Sequence, residues 1–268
     1  RDGNQLVSLT GLWKNAGLFV TLSGPSLLKA NLELLKKRGI ITMGVNNSPA
    51  AFRPNLWTHG DPPNKFHHGI WKDPGVLKFM PVRCFPHALR VKEDGKFMTV
   101  DELCRDQPGV IGFARNADFN PSRFLDEPSV NWGNGKKAVE RNKHPHILNI
   151  MFCVMKLPWL LGFRRLYLLG CDFKMTDKDP AYAFTQSKHH GAVTSNNGSY
   201  IKLNHMLNLL KPHFDQHNYQ VFNCTPNSGL LTFPFMTLED AFHEETKNIP
   251  GEPLDTEGWY DHVEARAA

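Results

Sequence analysis

Leu18 to Leu35 reads LFVTLSGPSLLKANLELL, and the fold turns on how its middle is taken. Leu18 to Leu22 is a short apolar run bounded by turn residues, the pattern of a buried strand. It stops at Ser23-Gly24-Pro25-Ser26. Leu27, Leu28, Leu32 and Leu35 then recur at helical spacing, which predicts a helix capped by Ser23 or Ser26. Gly24 lets a ligand approach the backbone, and Pro25 at the first helical position sacrifices no hydrogen bond. The turn is therefore either a well-capped strand-to-helix connection or a phosphate cradle. In a cradle, the helix dipole alone contributes roughly 0.3–1 kcal/mol toward a bound anion.

Outward from this turn the same alternation repeats. Lys36, Lys37 and Arg38 suit a helix C-terminus and Gly39 a C-terminal cap, after which Ile40 to Val45 reads as a second strand ending at Asn46-Asn47-Ser48. That is a β-α-β unit of crossover length. Further strands are expected at Leu56–His59, ending at Gly60-Asp61, and at Pro81–Phe85, Val110–Ala114, Arg165–Gly170 and Tyr219–Asn223. Helices are expected at Ile147–Leu161, bent or broken near Pro158, at Tyr200–Phe214 and at Leu238–Glu245. Strands alternating with helices mean an α/β domain with a mostly parallel sheet. Residues 1–268 are taken as one such domain, with 66–141 as an irregular insertion or lid within it.

Bulk composition narrows the function classes. The chain has 268 residues, 41% hydrophobic and 21% charged, with a net charge of +5. Such a mild positive balance suits an anionic substrate and carries no sustained basic stripe for nucleic acid. The five cysteines are widely spaced and form no CxxC pair, against a disulfide framework or a structural zinc site. A reducing, cytoplasmic setting is expected. No secretory signal pattern opens the sequence, which begins at Arg1 as a fragment or trimmed chain does. The one long apolar stretch, Ile147 to Phe163, contains Asn149, Lys156 and Pro158, so it reads as a buried helix and no membrane span is expected.

In an open parallel sheet, ligands bind beyond the carboxyl ends of the strands. Those ends carry Ser23-Gly24-Pro25-Ser26, Asn46-Asn47, Gly60-Asp61 and Cys171-Asp172. Asp61 and Asp172 either hold Mg2+ bridging a nucleotide's phosphates or serve as ordinary loop carboxylates. Among 13 histidines, His189-His190 stands in a polar loop after the Asp172 strand, where a general base is commonly placed. Solvated loop histidines give the same pattern. Neither His67-His68 nor His189-His190 has the HxxxH spacing that would support zinc, and the P-loop, dinucleotide-binding and nucleophile-elbow signatures are missing.

Taken in order, FVTLSGPSL, a second strand ending in asparagine, LGFRRLYLLGCDF, YAF and VFNCTPNSGL resemble a superfamily with two arms. One arm is the bacterial sialyltransferases of glycosyltransferase family 42. The other is the DUF115 group, which includes the 6-hydroxymethylpterin diphosphokinase-like proteins. The similarity spans residues 18–61 and 147–240 and leaves the middle unplaced. It implies a Rossmann-like fold that binds a nucleotide or nucleotide-sugar. Ser23, Gly24, Pro25 and Ser26 would lie along the phosphates, Asn46 or Asn47 would contact the nucleotide or transferred group, and Asp172 with Thr225, Asn227 and Ser228 would shape the nucleotide pocket.

By the same resemblance His189 or His190 is the general base for a hydroxyl acceptor, which could be a glycan, a small molecule or a modified nucleic-acid base. No cofactor is required in that reading. The alternative arm implies a diphosphokinase using Mg2+ through Asp61 and Asp172, and a third reading is a nucleotide-binding protein without catalysis. One departure is visible: positions comparable to the sialyltransferases' phosphate-stabilising tyrosine fall among Met151, Phe152 and Cys153. Lys136, Lys137, Arg141 or Lys143 would have to replace it, which weighs against a CMP-sialic acid donor more than against transfer.

Overall fold

The computed structural model describes residues 8–66, 68–93, 96–135, 144–177, 180–185 and 190–249. Seven parallel strands form the central sheet: β1 (Gly17–Thr21), β2 (Thr42–Val45), β3 (Leu56–Thr58), β4 (Leu77–Pro81), β5 (Val110–Phe113), β6 (Arg165–Leu169) and β7 (Gln220–Asn223). Their spatial order is β7-β6-β1-β2-β3-β4-β5. The chain steps from β1 outward to β5, then returns to place β6 on β1's other side. Strand order therefore reverses between β1 and β6, where an open α/β sheet leaves a crevice.

Strands buried on both faces need continuous apolar runs rather than alternation, because helices or turns cover each side. β1 is buried at all five positions. Its residues still sort by face with the strand's period of two. Leu18 and Val20 join one core with Leu166 and Leu168 of β6, while Phe19 joins a second with Tyr167 and Leu169. The first core is closed by helices α1 (Ile150–Leu161) and α2 (Ala192–Gln216). The second is closed by α3 (Leu238–Thr246) and by the turns after β1.

The α1 helix is apolar almost all round, as a fully buried helix must be. Asn149 caps it by accepting from the Met151 N–H at 2.9 Å, and Gly162 ends it at φ +103°. It runs through Pro158 without a break, although the proline removes the N–H that would donate to the Val154 carbonyl. Lys156 is buried with its ammonium on the Leu125 carbonyl at 2.7 Å. Burial pushes its pKa down to about 8. No described helix is long and apolar enough to cross a membrane. All five cysteines are buried free thiols.

Three local expectations are corrected. The segment after Gly24 is two short 3-10 turns, Pro25–Lys29 and Leu32–Lys36, rather than one α-helix. Ala30 breaks them at ψ 148°. The strand expected at Pro81–Phe85 lies at Leu77–Pro81, and Val82–Cys84 forms a turn. The helix expected from Tyr200 begins at Ala192. Residues 66–141 supply β4 and β5 to the sheet, and between them an antiparallel ribbon of Ala88–Glu93 with Lys96–Leu103.

Candidate functional site

The crevice at the β1/β6 reversal is a cleft of about 740 Å3. Its floor is the end of β1 and the SGPS turn, with Asn46 and Asn47 beyond β2 on one side and Gly170 to Lys174 beyond β6 on the other. The cleft thus gathers Ser23, Gly24, Pro25, Asn46, Asn47, Asp61 and Asp172 from four strand ends.

Hydrogen bonds tie the SGPS turn to the segment after β6. Asp172 Oδ2 accepts from Ser26 Oγ at 2.7 Å and from the Ser26 N–H at 3.4 Å. The Gly24 N–H donates to the Gly170 carbonyl at 2.9 Å. A protein carboxylate therefore takes the Ser26 donors that a cradled phosphate would use. An incoming anion on this turn has to displace Asp172 or bind beside it. The short 3-10 turn that follows also brings less dipole than an α-helix.

Asn46 sits at φ +54°, a left-handed conformation that asparagine tolerates better than most residues. Its Oδ1 accepts from the Gly60 N–H at 3.0 Å, and its backbone carbonyl accepts from Trp57 Nε1 at 2.8 Å. Asn46 thereby locks the β2 and β3 ends together while its own amide stands at the cleft wall. Asp61 is exposed and paired with Lys65 at 3.2 Å. Among the described residues no three His, Cys, Asp or Glu side chains converge as a metal set.

The TPNS turn is occupied with support. Thr225 is buried and its Oγ1 accepts from the Cys171 N–H at 2.8 Å. Ser228 Oγ donates to the Cys171 carbonyl, and Lys174 Nζ donates to the Asn227 carbonyl. These bonds hold the Cys171–Lys174 segment at the cleft. Thr225 and Asn227 themselves face a second cavity, of about 660 Å3, on the other side of that segment. Ser228 lines neither space.

His190 is exposed and lines neither cavity. His189 lies outside the described residues, as do Lys136, Lys137, Arg141 and Lys143. The cleft instead contains groups that motif reading passed over: Arg90 from the ribbon, Lys174, and the phenols Tyr182 and Tyr200. Tyr200 stacks on Phe173 with ring centroids 5.0 Å apart, and Tyr182 on Phe184 at 5.5 Å. Burial pushes the Tyr200 hydroxyl up to about 12. Tyr182 was visible in the Tyr-Ala-Phe motif; Arg90 had no local signal.

Beside the cleft, His59 continues β3 into a cage of Trp57, Phe66 and Trp71 rings. It is 1% exposed, with Nδ1 2.8 Å from the Asp61 carbonyl. Burial lowers its pKa to about 4, opposed by the Asp61 hydrogen bond and charge. Because the folded pKa lies below the ordinary 6.5, the stability His59 contributes is intact above pH 6.5. It is lost as pH falls from about 6.5 to about 4. The loss amounts to roughly 3 kcal/mol. Urea unfolding at pH 7 and pH 4.5 should show it, and His59→Phe, which cannot charge, should lose markedly less. Equal acid sensitivity of both proteins would refute this assignment.

No protein-family model matches the chain, and no curated protein matches it. A solved MAf glycosyltransferase from Magnetospirillum magneticum AMB-1 is a structural neighbour, with a TM-score of 0.46 and 13% identity over 85% of this chain and 34% of that one. This chain thus spans well under half of that protein's length. A glycosyltransferase stands among its structural neighbours, at a similarity too low to carry an argument about activity.

Proposed function

We propose that the protein is a glycosyltransferase-like enzyme that moves a group from a nucleotide-sugar to a hydroxyl acceptor. The observation that supports this most is the cleft at the β1/β6 reversal, where the SGPS turn, Asn46, Asn47 and Asp172 meet. Three cations, Lys65, Arg90 and Lys174, stand in the same cleft against two carboxylates, Asp61 and Asp172. That balance suits a ligand whose phosphate carries the negative charge. Arg90 is the best placed to bind it, since guanidinium forks match phosphate geometry and Lys65 is already paired with Asp61.

In the reaction, the acceptor oxygen bonds to the donor's anomeric carbon as the carbon–oxygen bond to phosphate breaks. The nucleotide departs with that electron pair, and the acceptor's proton passes to a base. We assign the base to His189 or His190 in the loop preceding α2. The cations and the Tyr182 hydroxyl would stabilise the charge gathering on the leaving phosphate.

A second reading, a Mg2+-dependent diphosphokinase, draws on Asp61 and Asp172 lining one cleft. A thermal-shift series against nucleotides and nucleotide-sugars, with Mg2+ and with EDTA, separates the two. A nucleotide-sugar at about 100 times its Kd should add roughly 2.7 kcal/mol in either medium. Arg90→Gln should remove most of the shift. Stabilisation by ATP only with Mg2+ would transfer the assignment to the kinase, and a flat series would defeat both. Under the transferase reading, turnover that survives both His189→Ala and His190→Ala would remove the histidines from the mechanism.

A further inference from the structure

The second cavity has no role in that account, yet it is nearly as large as the cleft and shares a wall with it. Pro25, Gly170, Asp172, Lys174, Ala181 and Tyr182 line both spaces. The strap Pro180–Thr185 crosses the strand ends there, pinned by the Ala183 N–H on the Ser23 carbonyl at 3.0 Å. The cleft lies over the ends of β1, β2, β3 and β6. The second cavity lies over the ends of β6 and β7, against the first turn of α3. A sheet whose strand order reverses offers a half-site on each side of the reversal, and two-part ligands bridge them.

The linings differ in chemistry. The cleft sets asparagines, carboxylates and cations among Phe66, Phe173, Tyr182 and Tyr200 and exposes polar and apolar surface about equally, whereas the second cavity's surface is mostly apolar. The second cavity is bordered by Leu28 and Phe235, which are 62% and 57% exposed, and by Met175. Leu28 and Phe235 are open at the mouth of the cavity, where a ligand's apolar face can cover them. Its polar groups, among them Lys29, Asn31, Asn227 and Glu239, stand between the apolar ones, where they can orient a ligand held mainly by its apolar face.

The geometry points to this cavity as the acceptor site, taking a hydroxyl-bearing molecule with a flat apolar face, such as an aryl glycoside. This rests on the transferase reading, in which the donor fills the cleft. The acceptor's hydroxyl would then reach the donor across the shared wall, beside Asp172 and Tyr182. The strap would separate the bodies of the two substrates while leaving their reacting ends in contact.

Saturation-transfer NMR with p-nitrophenyl glycosides tests the site without any need for turnover. The full chain should transfer saturation to the aryl protons, and the exposed-site variants L28E and F235A should bind about tenfold more weakly. The nucleotide-sugar thermal shift should be unchanged in both variants, whose folding is checked by their own melting transitions. The cleft variant Arg90→Gln should do the reverse, losing the nucleotide-sugar shift and keeping the aryl glycoside. Absence of aryl glycoside binding, or binding untouched by L28E and F235A, would overturn the assignment. Aryl glycoside binding at this site with no response to any nucleotide-sugar would uphold the site and refute the donor reading instead.

Discussion

Replacing Glu245 with alanine is expected to destabilise the protein by about 3–5 kcal/mol, the cost of removing one partner from a largely buried ion pair. The side chain reaches from α3 across the amino ends of β1 and β6, opposite the cleft. Both carboxylate oxygens are engaged by the Arg165 guanidinium, through Nε and, at 2.9 Å, through Nη2. The Tyr167 hydroxyl donates to Oε1 at 2.7 Å and the Gly17 N–H to Oε2 at 3.1 Å. Glu245 is 11% exposed and Arg165 30%, so water replaces little of what is lost. A Cβ at Gly17 would fall in the carboxylate's space and push the Glu245 side chain out of this network.

Alanine leaves a guanidinium, a phenol and a strand N–H short of an acceptor. For a domain whose whole stability is on the order of 5–15 kcal/mol, this is a large fraction. Glu245→Gln keeps the shape and one acceptor oxygen, enough for two of the four donors, so its loss should be smaller than alanine's. Urea unfolding measures both. A loss below about 1 kcal/mol for alanine would mean that the network is a surface feature of little weight. Nucleotide-sugar affinity should not change, since the cluster lies at the far end of the sheet.

Gly24→Ala should act at the opposite end and on both properties at once. A Cβ at this position would fall inside contact distance of the Asp172 carboxylate and 2.5 Å from the Gly170 carbonyl oxygen. The side chain could rotate away, giving up its bond to Ser26, but the carbonyl belongs to the backbone following β6. Strand ends would have to move apart, at roughly 1–3 kcal/mol for overpacking, and the cleft floor would move with them. Melting temperature and nucleotide-sugar affinity should therefore fall together. The double variant Gly24→Ala/Asp172→Ala should recover part of the loss and not all of it, because the carbonyl remains. Full recovery would mean that the carboxylate alone demands glycine here; no effect from the single variant would mean that the turn has room to spare.

The parallel sheet was legible because its strands are nearly unbroken apolar runs separated by turn residues, and the buried Leu18–Leu22 segment behaves as that pattern requires. Leucines at 27, 28, 32 and 35 promised an α-helix, but two 3-10 turns bury Leu27 and Leu35 equally well and leave Leu28 outside. Strand β4 was misplaced because Lys78 stands inside it. That ammonium is buried, donating to the Asp73, Val76 and Pro108 carbonyls, and a lysine in a core strand disguises the apolar pattern.

Within the candidate site, Ser26 and Asp172 could each be named from their positions at strand ends. Their bond to one another could not, since 146 residues separate them. Arg90 and the second cavity arise from a ribbon and a helix brought in by tertiary packing, and no local spacing announces either.

That same separation bears on the order in which the protein assembles. The strands β1 to β5 can each add beside the one before, pairing over short stretches of chain. The pairing of Gly17 with Arg165 waits until the polypeptide has come back on itself. Loops of that length close at the greatest entropic cost and are the slow steps of parallel sheets. The floor of the cleft and its Asp172 side meet at this seam, so the binding surface is complete only when the two parts of the chain have met. A ligand lodged there would act as a fastener on the joint that is hardest to close.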